Sequence, residues 1–255
     1  MQDVLTIVLS SAGAVTNVNG GQFITTLPEP IRIPSDVKRV QCKVIGASIW
    51  NGIPNIETDC HLIFETPISD VVRVLIPKGQ YSVTLLEATL NRSLQNLGIN
   101  PSLIILAGDD ATGKIYFDLS TIGSRISFVG EPELSQLLGF PLDYESPLTT
   151  IVNQVITAPN VAQFNNVNTF QIHSTITSKG ILVNNKFTQL VAIIPVTAAP
   201  GSLIIYDPTN PQITFCRNLI GSSVQSITSW LTNEKGEVLD TNGETWSYVV
   251  ELKWE

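Results

Sequence analysis

The feature that most constrains the fold is an alternation of apolar and polar residues in short runs separated by turn residues. The last run places Trp246, Tyr248, Val250, Leu252 and Trp254 on one face and mostly polar residues on the other. Successive side chains of a β-strand point to opposite faces of its sheet, so this pattern is typical of a strand with one buried face. We therefore expect Val250 and Leu252 to be structural core residues.

Composition agrees with a β-rich chain that buries a large core. The chain has 255 residues, of which 43% are apolar and 14% are charged. A disordered chain has the opposite balance. The 15 prolines and 17 glycines fit the many turns between short strands. We therefore predict an all-β protein that carries one small α/β region.

Charge and cysteine content exclude several classes of protein. The net charge of −8 argues against a nucleic-acid-binding protein, which needs a basic surface to displace phosphate counterions. The apolar runs are short, and none approaches the roughly 20 residues of a membrane helix. The N-terminus has no basic and apolar regions of a secretory signal, and the three cysteines are scattered. We expect folding in a reducing, intracellular compartment.

One longer stretch has a helical pattern. Thr84 and Glu87 are spaced as a capping box, with Thr84 as the N-cap, and Gly98 follows as a stop. The residues between them form an apolar stripe with helical spacing, namely Leu86, Leu90, Leu94 and Leu97. We predict that Leu86, Leu90 and Leu94 are core residues of this helix.

The helix suggests how the chain is divided. The predicted helix has its own N-cap, its own apolar stripe and a glycine that ends it. Runs of alternating apolar and polar residues lie on both sides of it in the sequence. A helix packed on three strands is large enough for local stability. The expected organisation is an α/β insertion domain at 70–147 and a β domain formed by 1–69 and 148–255.

A glycine-rich loop at Gly108–Lys114 matches the phosphate-loop spacing GxxxxGK. That motif requires Ser or Thr next and then a helix, whereas Ile115 follows here and begins an alternating run. Two aspartates in the loop would also repel phosphate. We interpret the loop as a hairpin turn.

No catalytic or metal-binding constellation is visible. His61 and His173 are the only histidines, they are far apart in the sequence, and no acids cluster around them. A metal site needs three or four converging ligands. The three cysteines, Cys42, Cys60 and Cys216, are interpreted as small buried apolar residues. We predict no cofactor, no metal and no catalytic residue.

The order of segments does resemble a known family. The segments are FITTLPEPIRI (23–33), VKRVQCKVIGASIWNGIPN (37–55), VLIPKGQYSVTLLEATLNRSLQNLG (74–98), ISFVGEPELSQLLGF (126–140) and SITSWLTNEKGEVLDTNGETWSYVVELKW (226–254). This order resembles the penton-type (vertex) minor capsid proteins of virophages and polinton-like viruses.

The resemblance implies a single jelly-roll β-sandwich in which 70–147 is an insertion domain. It implies a structural, non-enzymatic viral protein of the virion, folded inside the host cell. Five copies would form a homopentamer at each icosahedral five-fold vertex. The implied partner is a major capsid protein with a double jelly roll, and a host surface is a possible further partner.

Two other functions remain open at this stage. A jelly-roll glycan- or receptor-binding module is suggested by four tryptophans and by the polar loop at 163–166. A tryptophan on an alternating strand is more often core or subunit interface, and Trp50 and Trp230 are the interface candidates. A hydrolase or isomerase on a jelly-roll scaffold would need a histidine–glutamate metal cluster, which two isolated histidines do not provide.

Overall fold

The computed structural model describes residues 3–16, 20–67, 71–165, 167–183 and 186–255. The chain divides into two compact units, one formed by Met1–Ile53 with Val167–Glu255 and the other by Pro54–Asn166. We call them the roll unit and the α/β unit. Each has its own hydrophobic core.

The elements follow the chain in this order: β1 (Asp3–Ser10), β2 (Val15–Thr16), β3 (Gln22–Arg32), β4 (Val40–Trp50), β5 (Cys60–Glu65), β6 (Val72–Ile76), α1 (Val83–Asn96), a 3₁₀ turn (Pro101–Leu103), β7 (Ile104–Asp109), β8 (Lys114–Leu119), β9 (Arg125–Ser127), α2 (Pro132–Leu137), β10 (Gln154–Thr157), β11 (Thr169–Ser174), β12 (Leu182–Val183), β13 (Lys186–Phe187), β14 (Leu190–Pro195), β15 (Leu203–Tyr206), β16 (Ile213–Phe215), a 3₁₀ turn (Arg217–Leu219), β17 (Ser223–Thr232) and β18 (Trp246–Trp254).

The roll unit is a sandwich of two antiparallel sheets. The first has the order β1-β18-β4-β15, with β16 also paired to β4, and we call it the β4 sheet. The second has the order β14-β11-β17-β3-β2, and we call it the β17 sheet.

The strand order of the roll unit defines a jelly roll. We number its main strands 1 to 8 along the chain, leaving out the short β2, β12 and β13 and treating β15 and β16 as one interrupted strand. The sheets then read 1-8-3-6 and 2-7-4-5. This is the double Greek key of a jelly roll. The predicted fold class, an all-β jelly-roll sandwich with few helices, is confirmed.

The core of the roll unit lies between its two sheets. Val250 and Leu252 of β18 are buried there, and Phe23 of β3 packs edge-on against Trp246 with ring centroids 4.7 Å apart. Full burial of such side chains stabilises a fold by about 1.5–3 kcal/mol each. The apolar face of β18 therefore holds the two sheets together.

The α/β unit follows β4 and ends before β11, between the third and fourth strands of the roll. It contains the sheets β10-β8-β7 and β6-β5-β9. Leu86, Leu90 and Leu94 of α1 are buried in a core whose buried residues all lie between 56 and 158.

The bounds of this unit are wider than the predicted 70–147. Strand β5 precedes residue 70 but pairs with β6, and β10 follows residue 147 but pairs with β8. These hydrogen bonds join both flanking segments to the α/β unit. The predicted boundary at residues 69 and 70 lies outside the described residues.

The predicted cap of α1 is wrong by two residues. Ser82 is the N-cap, and its hydroxyl accepts a hydrogen bond from the Leu85 amide at 3.3 Å. The preceding amide, that of Tyr81, donates to Asn55 Oδ1 at 2.9 Å, which places the helix entry at Ser82. Leu97, predicted as part of the buried stripe, is the C-cap and is exposed.

Candidate assembly surfaces

The two histidines occupy unrelated environments. In the α/β unit, His61 Nδ1 lies 3.3 Å from Glu131 Oε1. In the roll unit, His173 is buried, stacks on Trp230 with ring centroids 5.3 Å apart, and has Nε2 3.0 Å from Thr232 Oγ1. Burial lowers the pKa of His173 to about 4, because a charged imidazolium would lose its hydration. His173 is therefore a neutral packing residue.

The described ranges contain neither a metal-binding cluster nor a membrane-spanning helix. In that part of the chain, no group of three or more His, Cys, Asp or Glu side chains is arranged to hold a metal ion. Neither of the α-helices described above is long and apolar enough to cross a membrane.

The loop that matches the phosphate-loop spacing is the turn between β7 and β8, so the hairpin interpretation is confirmed. Asp109 Oδ2 accepts a hydrogen bond from the Thr112 hydroxyl at 2.7 Å, and Oδ1 accepts one from the Ala111 amide at 2.9 Å. These bonds, the one from Thr112 first, lower the pKa of Asp109. The turn is thus closed by the Asp109 carboxylate.

A polar cavity of about 260 Å³ lies in the α/β unit beside Glu133, Gln136 and Gln163. The Glu133 carboxylate accepts hydrogen bonds from the amides of Glu57 and Thr58, at 3.0 and 3.2 Å. The Glu133 carboxylate therefore anchors the segment that precedes β5.

The four tryptophans do not form a common aromatic surface. Trp246 is buried, Trp254 is partly buried, and Trp230 is partly buried with one ring face against His173. Trp50, at the end of β4, is 39% exposed. Of the two interface candidates, Trp50 is therefore the one with an exposed ring. Asn166 of the polar loop lies outside the described residues.

Strand β1 is one edge of the β4 sheet. Within the described residues it pairs only with β18. Its outward side chains Val4 and Val8 are 57% and 67% exposed, and Leu5 and Ile7 are only partly buried against the core. We call these four residues the β1 flank. An uncovered apolar edge strand of eight residues is a surface that normally requires a partner.

The opposite edge of the same sheet is also apolar. Strands β15 and β16 expose Ile205 and Ile213, at 74% and 52%, together with Leu203 and Phe215. We call these four residues the β15–β16 flank. Trp50 is the register partner of Leu203, so its ring extends this flank. The Arg39 guanidinium lies 4.4 Å from the centre of the Phe215 ring and adds positive charge beside it.

The two flanks differ in sequence and in charge. Asp3 begins the strand that carries the β1 flank, whereas Arg39 lies at the β15–β16 flank. A surface at one edge that complements a different surface at the other edge allows head-to-tail association, which closes into a ring when the rotation per copy permits.

Among known proteins, similarity to this chain is found at the level of structure. No protein-family model matches the sequence, and no curated protein matches it. Among solved structures, the chain is similar to the selenomethionine-labelled penton protein of mavirus, with a TM-score of 0.47 and 12% sequence identity. The match covers 100% of this chain and 99% of that chain. The protein in that structure is a penton protein, the type that the order of segments resembles.

Proposed function

We propose that this chain is a structural virion protein, a penton-type minor capsid protein that assembles as a homopentamer at the five-fold vertices of an icosahedral capsid. The observation that carries the proposal is the pair of unlike apolar flanks at the two edges of one jelly-roll sheet. In a ring, the β1 flank of each copy packs against the β15–β16 flank of the next.

The character of the flanks supports this arrangement. Subunit interfaces are depleted of charge at their centres and rely on aromatic and aliphatic anchors. Ile205, Ile213, Phe215 and Trp50 supply such anchors on one side, and Val4 and Val8 supply them on the other. We expect the interface between neighbours to exceed about 1,000 Å² in total.

In this proposal the roll unit forms the ring and the α/β unit is an insertion domain, available to neighbouring capsid proteins or to a host surface. The role is non-enzymatic and needs no cofactor. The major capsid protein with a double jelly roll is the expected partner within the shell.

Electrostatics provides the test of assembly. Each copy carries a net charge of −8, so the copies repel one another, and salt or partial protonation of carboxylates reduces that repulsion. Native mass spectrometry and mass photometry of the purified chain should show pentamers that increase with ionic strength and as the pH is lowered toward 5. Nucleotides and divalent metals, compared at matched ionic strength, should have no further effect. A two-fold dimer as the sole oligomer would contradict the proposal.

A further inference from the structure

Two buried cysteines of the roll unit lie side by side, although they are far apart in the sequence. Cys42 is in β4, and Cys216 directly follows β16. Thr214 is the register partner of Cys42, and the Cys216 amide donates to the Val40 carbonyl at 3.0 Å. Because side chains alternate along a strand, Cys216 points to the same face as Thr214 and Cys42. The two thiols are therefore diagonal neighbours on the core face of the β4 sheet.

The two thiols interact directly. The hydrogen-bonding interaction between the two thiols is the largest influence on the pKa of each. This bond, reinforced by burial, raises the pKa of Cys42, and the same bond lowers the pKa of Cys216. Cys216 is thus the thiol that ionises first, and a thiolate is the form that attacks a disulfide.

Cys60, in the α/β unit, is a natural internal control. Burial, followed by the charge of nearby Glu133, raises its pKa to about 11. Its sulfur contacts the Thr58 carbonyl at 3.2 Å and Glu133 Oε2 at 4.0 Å. Burial and the Glu133 charge disfavour the Cys60 thiolate, and neither of these two contacts of the sulfur is a thiol.

Access to the pair depends on the short edge strand β16, which directly precedes Cys216 and pairs with the strand that carries Cys42. Strand β16 has three residues, and within the described ranges it pairs only with β4. Two of its three side chains, Ile213 and Phe215, are exposed, and only Thr214 is buried. Short edge segments of this kind open locally far more often than the whole domain unfolds. Such opening exposes both thiols together.

We propose that Cys42 and Cys216 are a disulfide-forming site, an oxidisable dithiol that a low-molecular-weight disulfide such as oxidised glutathione converts into an intrachain bond. The Cys216 thiolate attacks one glutathione sulfur, breaks the glutathione S–S bond and releases one glutathione thiolate. The deprotonated Cys42 sulfur then attacks Cys216 and releases the second. The protein loses two electrons and two thiol protons, and oxidised glutathione becomes two reduced glutathione molecules.

The bond would link the end of β16 to β4 within the β4 sheet. It would close the chain segment from Cys42 to Cys216, which contains the whole α/β unit. Such a cross-link stabilises mainly by restricting the unfolded chain. It would also hold in place the strand that carries Ile213 and Phe215 of the β15–β16 flank. The disulfide follows from the geometry of the roll unit and is independent of the proposed vertex function.

The test is thiol counting on the full chain. The protein is incubated with oxidised glutathione at pH 8, blocked with N-ethylmaleimide, and analysed by intact mass and peptide mapping. We expect one reactive thiol, Cys60, and a Cys42–Cys216 peptide. We also expect a melting temperature raised by about 5 °C or more. Dithiothreitol should reverse both changes.

Two variants test which cysteines form the bond. Cys60→Ser should form the same bond and then have no alkylatable thiol. Cys42→Ala should stop at a glutathione adduct on Cys216, without the rise in melting temperature. The proposal is overturned if wild-type protein keeps three alkylatable thiols both in native buffer and in urea just below the unfolding transition. It is equally overturned if the bond that forms involves Cys60.

Discussion

The hydroxyl of Tyr248 lies 2.7 Å from the hydroxyl of Ser229, and this hydrogen bond joins the two sheets of the roll unit through the core. Tyr248 belongs to β18 and Ser229 to β17, and both are fully buried. Burial raises the pKa of Tyr248 well above its usual value, although hydrogen bonds with Ser174 and Ser229 oppose that rise. A polar contact at this place fixes how the sheets face each other.

Tyr248→Phe should lower the free energy of unfolding by about 1–2 kcal/mol, because it leaves a buried serine hydroxyl without this partner. Urea unfolding followed by tryptophan fluorescence measures the change. Tyr206→Phe, at a half-buried position of β15, is the control and should change stability by less than about 0.5 kcal/mol. In a double-mutant cycle with Ser229→Ala, additive effects would show that the contact contributes nothing.

The apolar face of β18 should not tolerate charge. Val250→Asp or Leu252→Asp should abolish soluble folding, because an unpaired buried carboxylate costs several kcal/mol, comparable with the whole net stability. Val249→Asp, on the opposite face of the same strand, is the matched control and should remain soluble. Expression yield and circular dichroism distinguish the outcomes, and a wild-type melting temperature for Val250→Asp would disprove the role of this face.

His173 should make the roll unit less stable in acid. Its folded pKa is about 4, whereas an unfolded histidine has a pKa of about 6.5. Between these values the unfolded chain binds a proton that the folded chain does not, so stability present above pH 6.5 is lost as the pH falls toward 4. The maximum slope is about 1.4 kcal/mol per pH unit.

The measurement is urea unfolding at several pH values between 7 and 4.5. His173→Gln should have a shallower pH dependence than wild type over this range. Equal slopes in the two proteins would show that the pKa of His173 is not lowered in the fold.

The two flanks of the β4 sheet should be required for assembly but not for folding. Val8→Asp and Ile205→Asp each place a charge on one flank, at side chains that are largely exposed. We expect both variants to be folded and monomeric under conditions where wild type forms pentamers. Leu85→Asp is the control, because Leu85 is also an exposed apolar residue and an acidic residue in the first turn of a helix is favourable.

Mixing the two flank variants tests whether the contact is head-to-tail. Val8→Asp keeps an intact β15–β16 flank, and Ile205→Asp keeps an intact β1 flank. One wild-type contact can therefore form between them, and native mass spectrometry should detect a heterodimer but no ring. An isologous interface predicts no such complementation.

Alternation along single strands was sufficient to assign the faces of β18, because the direction of a side chain is set by the local backbone. The capping-box pattern predicts the wrong start for α1, because Thr84 is followed by Glu87 at the third position and Ser82 by Leu85. What favours Ser82 is the bond between the Tyr81 amide and Asn55. Asn55 comes from before β5, and no local pattern reports a contact over that distance.

The class of fold is encoded in local properties of the chain: the period-two runs, the long amphipathic helix and the spacing of turns. Which strands become neighbours is a property of the folded chain as a whole. The order 1-8-3-6 and 2-7-4-5, the meeting of Cys42 with Cys216, and the two apolar flanks all depend on pairings between distant segments. Such pairings are selected by the packing of the whole core, because each apolar strand face is locally compatible with many partners, and only one arrangement buries them all together.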